Sequence, residues 1–508
     1  MTKVKKVRDQ FAATAAMTLI LLLAAGYAHA EETMTDVEIT EAVKSELVLD
    51  PAVYADMIEV RTNTGIVTLE GSTASILEKR RAEMLTGTVR GVRGIINRIT
   101  VDAPEIAADT LGMNVRRAII WDPALEELQI SVTAEGGTVT LEGSVQSYQE
   151  KTLAEKAAAG VRGVTEIVNE ITVRPVADRP DGEIAREIER SMEWNVWLDE
   201  YLIDISVDDG NVTLSGTVGS LAEKNEATRL AWVQGVDMVD NLDLEVDPDF
   251  LADHQREQRY ADIPDSEIED AVFASCLYDP RVNALLIDID AEDGRVTLEG
   301  TVEELRTRRI AAMNARNVIG VREVENLIEV RPEIRPDQEI REDLEYALAL
   351  DPYMETFQID ITVEDGLVYL DGIVDTRYQK ARADDIASRQ PGVTEVVNRL
   401  SADAPDIVVQ QPYAGDWYLY DFSWYDPSTV NADPDLTDTQ IEQRIEERLF
   451  WSPFIDGGGI SVEVSGGVAT LTGTVDTWRQ SEEAVRNALR GGATAVENRL
   501  IVAYGAGY

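Results

Sequence analysis

The chain has 508 residues, 46 Lys and Arg against 95 Asp and Glu for a formal net charge of −49, and only one cysteine and two histidines. The length allows several domains, while the charge excludes nucleic acid as a partner, because phosphate binding needs a basic footprint. One cysteine excludes an intramolecular disulfide and dithiol exchange, and so few cysteines and histidines exclude a zinc centre of the usual kind.

In chain order, the first element is an export signal. Lys3, Lys5, Lys6 and Arg8 precede an apolar run from Phe11 to Gly26, and Ala28-His29-Ala30 has the form of a cleavage site, so 1–30 reads as a signal peptide. The run is too short, and its flanks wrong, for a good transmembrane helix, and no later segment is apolar enough to span a bilayer. No cysteine follows the run, which argues against lipoprotein processing. The expectation is a periplasmic protein, soluble or peripherally membrane-associated. Losing Lys3, Lys5, Lys6, Arg8 and Asp9 removes +3 and leaves −52, with six lysines after residue 30. Such an acidic, solvated surface resists aggregation at some cost from self-repulsion.

The remainder is periodic. Gly65-Ile-Val-Thr-Leu-Glu-Gly71 returns as Gly137…Gly143, Gly210…Gly216, Gly294…Gly300, Gly366…Gly372 and Gly467…Gly473. The second glycines lie 72, 73, 84, 72 and 101 residues apart, which marks an array of one small domain. Each unit reads as helix, strand, strand, helix, strand. In the fifth, Pro336-Asp337 opens a helix whose Ile340, Leu344, Ala347 and Leu348 form one apolar stripe. Asp351-Pro352 ends it, because the residue before proline is pushed out of the α region. The same dipeptide stands fifteen residues before the first motif glycine at Asp50, Asp122 and Asp279, with Asn195-Val196 and Ser452-Pro453 in the other two units.

Two alternating strands then meet across a turn such as Asp208-Asp209-Gly210-Asn211, where the first glycine supplies positive φ. A second helix, such as Glu304 to Asn317, stops near a third glycine: Gly91, Gly163, Gly235, Gly320, Gly392 or Gly492. A final strand follows, and six residues beyond that glycine stands an asparagine in every copy: Asn97, Asn169, Asn241, Asn326, Asn398 and Asn498. Recurrence in six equivalent units points to a backbone bond at a strand or bulge, not to catalysis.

The element order, the Asp-Pro helix end, the Gly-x-Val-Thr-Leu-x-Gly hairpin and the closing asparagine strand resemble the BON domain family. The resemblance covers 35–103, 104–176, 180–247, 264–332, 335–403 and 436–504, leaving a polar linker at 248–263 and an aromatic-rich linker at 404–435. It implies an α+β fold: a tandem array of six small αββαβ domains, each a three-stranded mixed sheet with two packed helices. It also implies a non-enzymatic role, as in OsmY-like periplasmic proteins: association with phospholipid membranes, envelope maintenance under osmotic stress, and in some members chaperone-like help. Most OsmY-like proteins have two copies, so six is a departure.

Positive charge collects on the second helices. Lys79, Lys151, Lys224, Arg308 and Lys380 stand eight residues beyond the second motif glycine, and Arg80, Arg81, Arg306 and Arg309 extend the set. These are candidate lipid contacts, each basic residue being worth about 1 kcal/mol near an anionic leaflet. On the other reading they pair with glutamates such as Glu78 and Glu150 on a solvated face. Tyr413, Trp417, Tyr418, Tyr420, Phe422, Trp424 and Tyr425 crowd into thirteen residues. They form either an interfacial anchor or partner-binding loop, or a segment packed back over a neighbouring unit. No catalytic residues, cofactor or metal site emerge from the sequence. Asp288-x-Asp290-x-Glu292-Asp293-Gly294 departs from a calcium loop in glycine position and flanking strands. Cys276, on a predicted amphipathic helix, reads as a buried inert thiol. The partners left open are a phospholipid surface, contacted peripherally, and envelope proteins bound by a multivalent adaptor or chaperone.

Overall fold

The computed structural model describes residues 34–122, 124–125, 128–174, 179–198, 202–248, 263–354, 359–402, 436–455, 459–475 and 478–502. The signal peptide, nearly all of the 248–263 linker and the aromatic residues from Tyr413 to Tyr425 lie outside these residues. Six αββαβ units occupy the rest, here numbered repeats 1 to 6.

The first helices are Asp36–Leu49, Ala108–Ile120, Asp181–Glu193, Asp265–Leu277, Asp337–Leu350 and Asp438–Trp451. Each buries one apolar stripe, such as Ile340, Leu344 and Leu348. The helix-end residue does more than precede a proline. Asp50, Asp122, Asn195, Asp279 and Asp351 each accept, through Oδ1, the backbone N–H two residues on, at 2.9–3.1 Å. Ser452 does so through Oγ at 3.4 Å. This turn requires a short side chain with an acceptor, which explains why Asn195 works without proline.

In every sheet the second hairpin strand is central, antiparallel to the first and parallel to the strand that returns through the second helix. In repeat 1, Ile58 pairs with Gly71 and Asn63 with Ile66, while Ile66 also pairs with Gly94. Val67 and Leu69 of the central strand are fully buried, as are Val139, Leu141, Val212, Leu214, Val296, Leu298, Val368 and Leu370. Thus the alternation in the repeated motif points one set of side chains at the helices. The third strand is continuous in repeats 1, 2 and 6, and split in repeats 3, 4 and 5.

The hairpin turn carries positive φ at the motif glycine, as expected, and also at the residue before it. Thr64 and Gly65 have φ of 51° and 73°, and Asp209 and Gly210 have 48° and 76°. Both central residues are therefore left-handed, the type I′ geometry that matches strand twist. A first-helix aspartate clamps this turn from outside: Asp36 accepts the N–H groups of Thr64 and Gly65 at 2.8 and 2.9 Å. Asp181, Asp265, Asp337 and Asp438 repeat that clamp. The Asp293–Gly294 turn is consequently a clamped hairpin.

The repeats close on one another. The residue five beyond the second motif glycine packs against the residue sixteen beyond it in the next repeat: Ile76 with Ala159, and Tyr148 stacked on Trp232 at 3.8 Å. Leu221 of repeat 3 completes a ring by entering the core of repeat 1 beside Gly87. Arg309 meets Asp384 as Arg80 meets Glu155, so repeats 4 and 5 adjoin as 1 and 2 do.

Across the two sets, one backbone bond recurs. The N–H before the third glycine donates to the carbonyl at the end of a first helix: Arg90 to Trp451, Arg162 to Leu350, and Ile319 to Trp194, at 2.9, 2.8 and 3.1 Å. These join repeats 1 and 6, 2 and 5, and 4 and 3. A second contact joins 1 with 5 (Tyr353 Oη to Ala52 O, 3.2 Å), 2 with 4 (Arg306 to Asp122, 2.7 Å) and 3 with 6 (Trp197 to Phe454, rings 5.1 Å apart). The two contacts alternate as they would between two facing three-membered rings. Both kinds of contact are preserved when repeats 1, 2 and 3 are exchanged for repeats 4, 5 and 6.

Candidate functional site

The second helices sit where repeats meet, and that decides the fate of their charges. Each of four starts with a Ser or Thr cap: Ser75, Ser147, Ser220 and Thr376 accept from the N–H three residues on. Glu78 and Glu150, expected to pair with neighbouring bases, instead turn back to the backbone. Glu78 accepts from the N–H groups of Tyr54 and Ala74 at 2.7 and 2.9 Å, and Glu150 from that of Gln146 at 2.7 Å. Each carboxylate, third in its helix, reaches back past the cap to the N–H that precedes it, and Glu78 also takes the N–H of Tyr54 in the loop before the hairpin.

The bases pair elsewhere. Arg81 has no exposed surface; it forms a two-pronged ion pair with Asp50 at 2.6–2.7 Å and lies 5.1 Å from the Tyr378 ring centre of repeat 5. Arg306, also buried, reaches Asp122 of repeat 2. Arg80, Arg308 and Arg309 bridge to Glu155, Glu395 and Asp384 of neighbouring repeats. Lys224 donates to Leu244 O at 2.7 Å, and burial lowers its pKa despite nearby Asp240 and Glu245. Lys79, Lys151 and Lys380 are half-buried. Their backbone carbonyls accept from Asn97, Asn169 and Asn398, whose Oδ1 atoms accept the N–H two residues on, so the recurring asparagine ties helix to strand as expected. None of the nine candidate lipid contacts is a fully solvated cation. For Arg81 and Arg306 a bilayer role is corrected: burying an arginine against a carboxylate removes it from any surface.

Sequence reading missed the partners of the helix-end residues and of Glu46. Asp50 with Arg81, Asn195 with Glu226 and Asp351 with Arg382 all lie 31 residues apart, a fixed spacing that could have exposed them. Arg448 and Arg490 converge on Glu46 of repeat 1, at 2.8 and 3.1 Å. Burial pushes the carboxyls of Glu46, Asp50 and Asp279 upward, yet their arginine partners more than offset it and leave each below its ordinary value. A depressed carboxylate contributes stability above its unfolded pKa and loses it as pH falls through the folded one. Urea midpoints should therefore decline below about pH 5 as these groups begin to take up protons. Glu78 and Asp384 act in the opposite sense, since burial raises both. A flat midpoint between pH 5 and 2.5 would show that the seams carry little of the stability.

Between repeats 2 and 5 lies a cavity of about 130 Å³. Its walls combine helix ends and second helices of both repeats with Leu77 and Arg80 of repeat 1 and Arg306 of repeat 4. Elsewhere, the Cys276 thiol is fully buried, and burial, aided by Asp279, pushes its pKa to about 12, the inert state expected. Among the described residues no cluster of three His, Cys, Asp or Glu could hold a metal ion, and no helix is long and apolar enough to cross a membrane.

The BON domain profile matches residues 35–103, 108–175, 180–248, 264–332, 336–404 and 437–504. The chain is similar to Osmotically-inducible protein Y of Escherichia coli (strain K12), 28% identical over 148 residues, 28% of this chain and 74% of that protein. It is also similar to an uncharacterized protein in the gshII 5′ region of Anaplasma centrale, 23% identical over 123 residues, 23% of this chain and 82% of that protein. Among solved structures, the C-terminal domain of CdsD, the structural protein of the type III secretion system of Chlamydia trachomatis, aligns at 12% identity and a TM-score of 0.12, covering 42% of this chain and 100% of that one.

Proposed function

The chain belongs to the BON domain family, with six copies in one polypeptide, and from that premise we propose an exported, non-enzymatic protein that associates peripherally with phospholipid and maintains the envelope under osmotic stress. The observation that carries this reading is the similarity to Osmotically-inducible protein Y over 148 residues. With most second-helix arginines engaged between repeats, lipid contact is proposed to rest on apolar side chains, assisted by Lys79, Lys151 and Lys380. Tyr54 and Met57 in repeat 1, and Leu285 and Leu286 in repeat 4, occupy the same loop before the hairpin and are 71%, 58%, 78% and 52% exposed. An apolar contact fits a strongly acidic chain better than an electrostatic one, because like charge repels it from anionic lipid.

Co-sedimentation of the full chain with phosphatidylcholine–phosphatidylglycerol vesicles at low and high salt tests this. Binding should persist in high salt, where charge attraction is screened, and fall at least fivefold when Tyr54, Met57, Leu285 and Leu286 are changed to serine. Absence of pelleting under every condition would remove membrane contact. The alternative, a multivalent adaptor or chaperone for envelope proteins, draws on the seven aromatic residues between Tyr413 and Tyr425.

A further inference from the structure

We propose that the exposed face of the first helix of repeat 2, together with Tyr346 of repeat 5, is the docking surface for the acidic, aromatic segment 416–426 of this same chain. Met113, Arg116, Arg117 and Ile120 stand three and four residues apart and so share one face of that helix. Met113 and Ile120 are 53% and 49% exposed, and both arginines are exposed as well. Arg116 donates to Val132 O at 3.3 Å, while the Arg117 guanidinium lies 4.4 Å from the ring centre of Tyr346 and 5.6 Å from that of Trp121. Neither arginine has a carboxylate partner among the described residues. Glu345 of repeat 5, beside Tyr346 in sequence, pairs instead with Arg341 at 3.8 Å. The rings are themselves fixed across the seam: the Tyr346 hydroxyl donates to Asn114 Oδ1 at 2.7 Å, and the ring meets Trp121 edge-on at 5.8 Å. A guanidinium held against aromatic faces keeps N–H edges for a carboxylate. Repeat 2 alone has two bases here; the equivalent pairs are Lys44-Ser45, Glu189-Arg190, Phe273-Ala274, Glu345-Tyr346 and Glu446-Glu447.

The occupant follows from charge and reach. Between Ala402 and Leu436 the chain has seven aspartates and no lysine, arginine, histidine or glutamate. Asp416, Asp421 and Asp426 recur every five residues there, with six aromatic side chains between them. Such a segment is repelled by a surface on which acids outnumber bases, 95 to 46 over the whole chain, and is drawn to a face where two arginines lack carboxylates. Its rings supply apolar area for Met113 and Ile120, and Arg, Met, Trp and Tyr are the side chains enriched where proteins meet. Asp421 stands 19 residues from Ala402 and 15 from Leu436. At about 3.3 Å per extended residue it reaches roughly 60 Å and roughly 50 Å from those ends, against a width of roughly 30 Å for one repeat. Being tethered, the segment needs only weak intrinsic affinity, because its linkage to the surface raises its effective concentration there. Docking does not depend on lipid association, whose contacts are proposed on other residues.

Photo-cross-linking of the full chain, carrying p-benzoylphenylalanine in place of Phe422 or, separately, of Tyr418, tests the assignment, with the products mapped by mass spectrometry. Cross-links should fall within one chain, on residues 113–121 and on the first helix of repeat 5 around Tyr346. Arg116→Gln with Arg117→Gln should lower their yield at least fivefold while the far-ultraviolet circular dichroism signal stays unchanged, since both side chains are exposed. Asp416→Asn, Asp421→Asn and Asp426→Asn together should do the same, and rising salt should weaken the signal in the parent. Cross-links on other repeats, cross-links between chains in a mixture of isotope-labelled and unlabelled protein, or an unchanged yield in the arginine variant would each overturn the proposal. So would transfer of the cross-links to phosphatidylglycerol vesicles added to the parent, which would make the segment a membrane anchor.

Discussion

Replacing Arg81 by alanine is expected to destabilise the protein by about 3–5 kcal/mol, the usual result of stripping one partner from a buried ion pair. Asp50 would stay behind at 4% exposure, with both carboxylate oxygens stripped of Arg81 and Arg490 3.7 Å away. The same change withdraws the guanidinium from Tyr378, so the damage reaches repeat 5. Chemical denaturation should show one cooperative transition moved to lower denaturant, because the cores of repeats 1 and 5 interlock. A separate early transition worth one repeat would mean that the units unfold as independent beads. Removing both partners, Asp50→Asn with Arg81→Met, should recover a large part of the loss, since the penalty belongs to the unpaired charge. By contrast, Arg61→Ala breaks only surface pairs with Glu59 and Glu70 and should fall within about 0.5 kcal/mol of the parent.

Gly71→Ala is expected to be comparably severe, on the order of 3 kcal/mol or more, for a steric reason. Gly71 has φ of 133°, and a Cβ built there would stand 2.0 Å from the carbonyl oxygen of Met57, just before the paired strand. Neither atom can yield without breaking the Ile58–Gly71 pairing that sets the hairpin register. Gly300 and Gly473 face the same carbonyl approach, at 2.1 and 2.0 Å, so their alanine variants should behave alike. Gly136 is the control. It also has positive φ, 56°, but meets nothing within 4 Å, and Gly136→Asn should lie within about 1 kcal/mol of the parent because asparagine tolerates that region. Equal losses at Gly71 and Gly136 in urea titrations would show that backbone conformation alone, not the approach of strands, selects glycine in this motif.

The closed arrangement gives tandem duplication a structural meaning. A first helix ends in a carbonyl that one neighbour caps, and its Asp-Pro turn takes a side chain from another. Tyr378 and Arg306 occupy the same place, six residues beyond the second motif glycine, yet one meets repeat 1 through an aromatic ring and the other meets repeat 2 through charge. Seams of one geometry thus carry different chemistry, which distinguishes one partner from another when six near-identical units choose neighbours.

By itself the sequence determined the period, the order of elements in each unit and most of the unit's core. Those depend on local constraints: alternation in a strand, a stripe on a helix, a turn that needs positive φ, a helix end that needs an acceptor. The motif glycines, the burial of Val67 and Leu69, the asparagine ties and the inert Cys276 were legible for that reason. Only the tertiary structure decided what the polar face of the second helix meets. Helical periodicity separates a buried face from a polar one, but a polar face reads the same whether it borders water or another repeat's carboxylates. Arg306 finds Asp122 from 184 residues away, and no local pattern encodes that distance. The assignment of those bases to seams between domains therefore follows from how the repeats close on each other, which the composition of a single repeat does not contain.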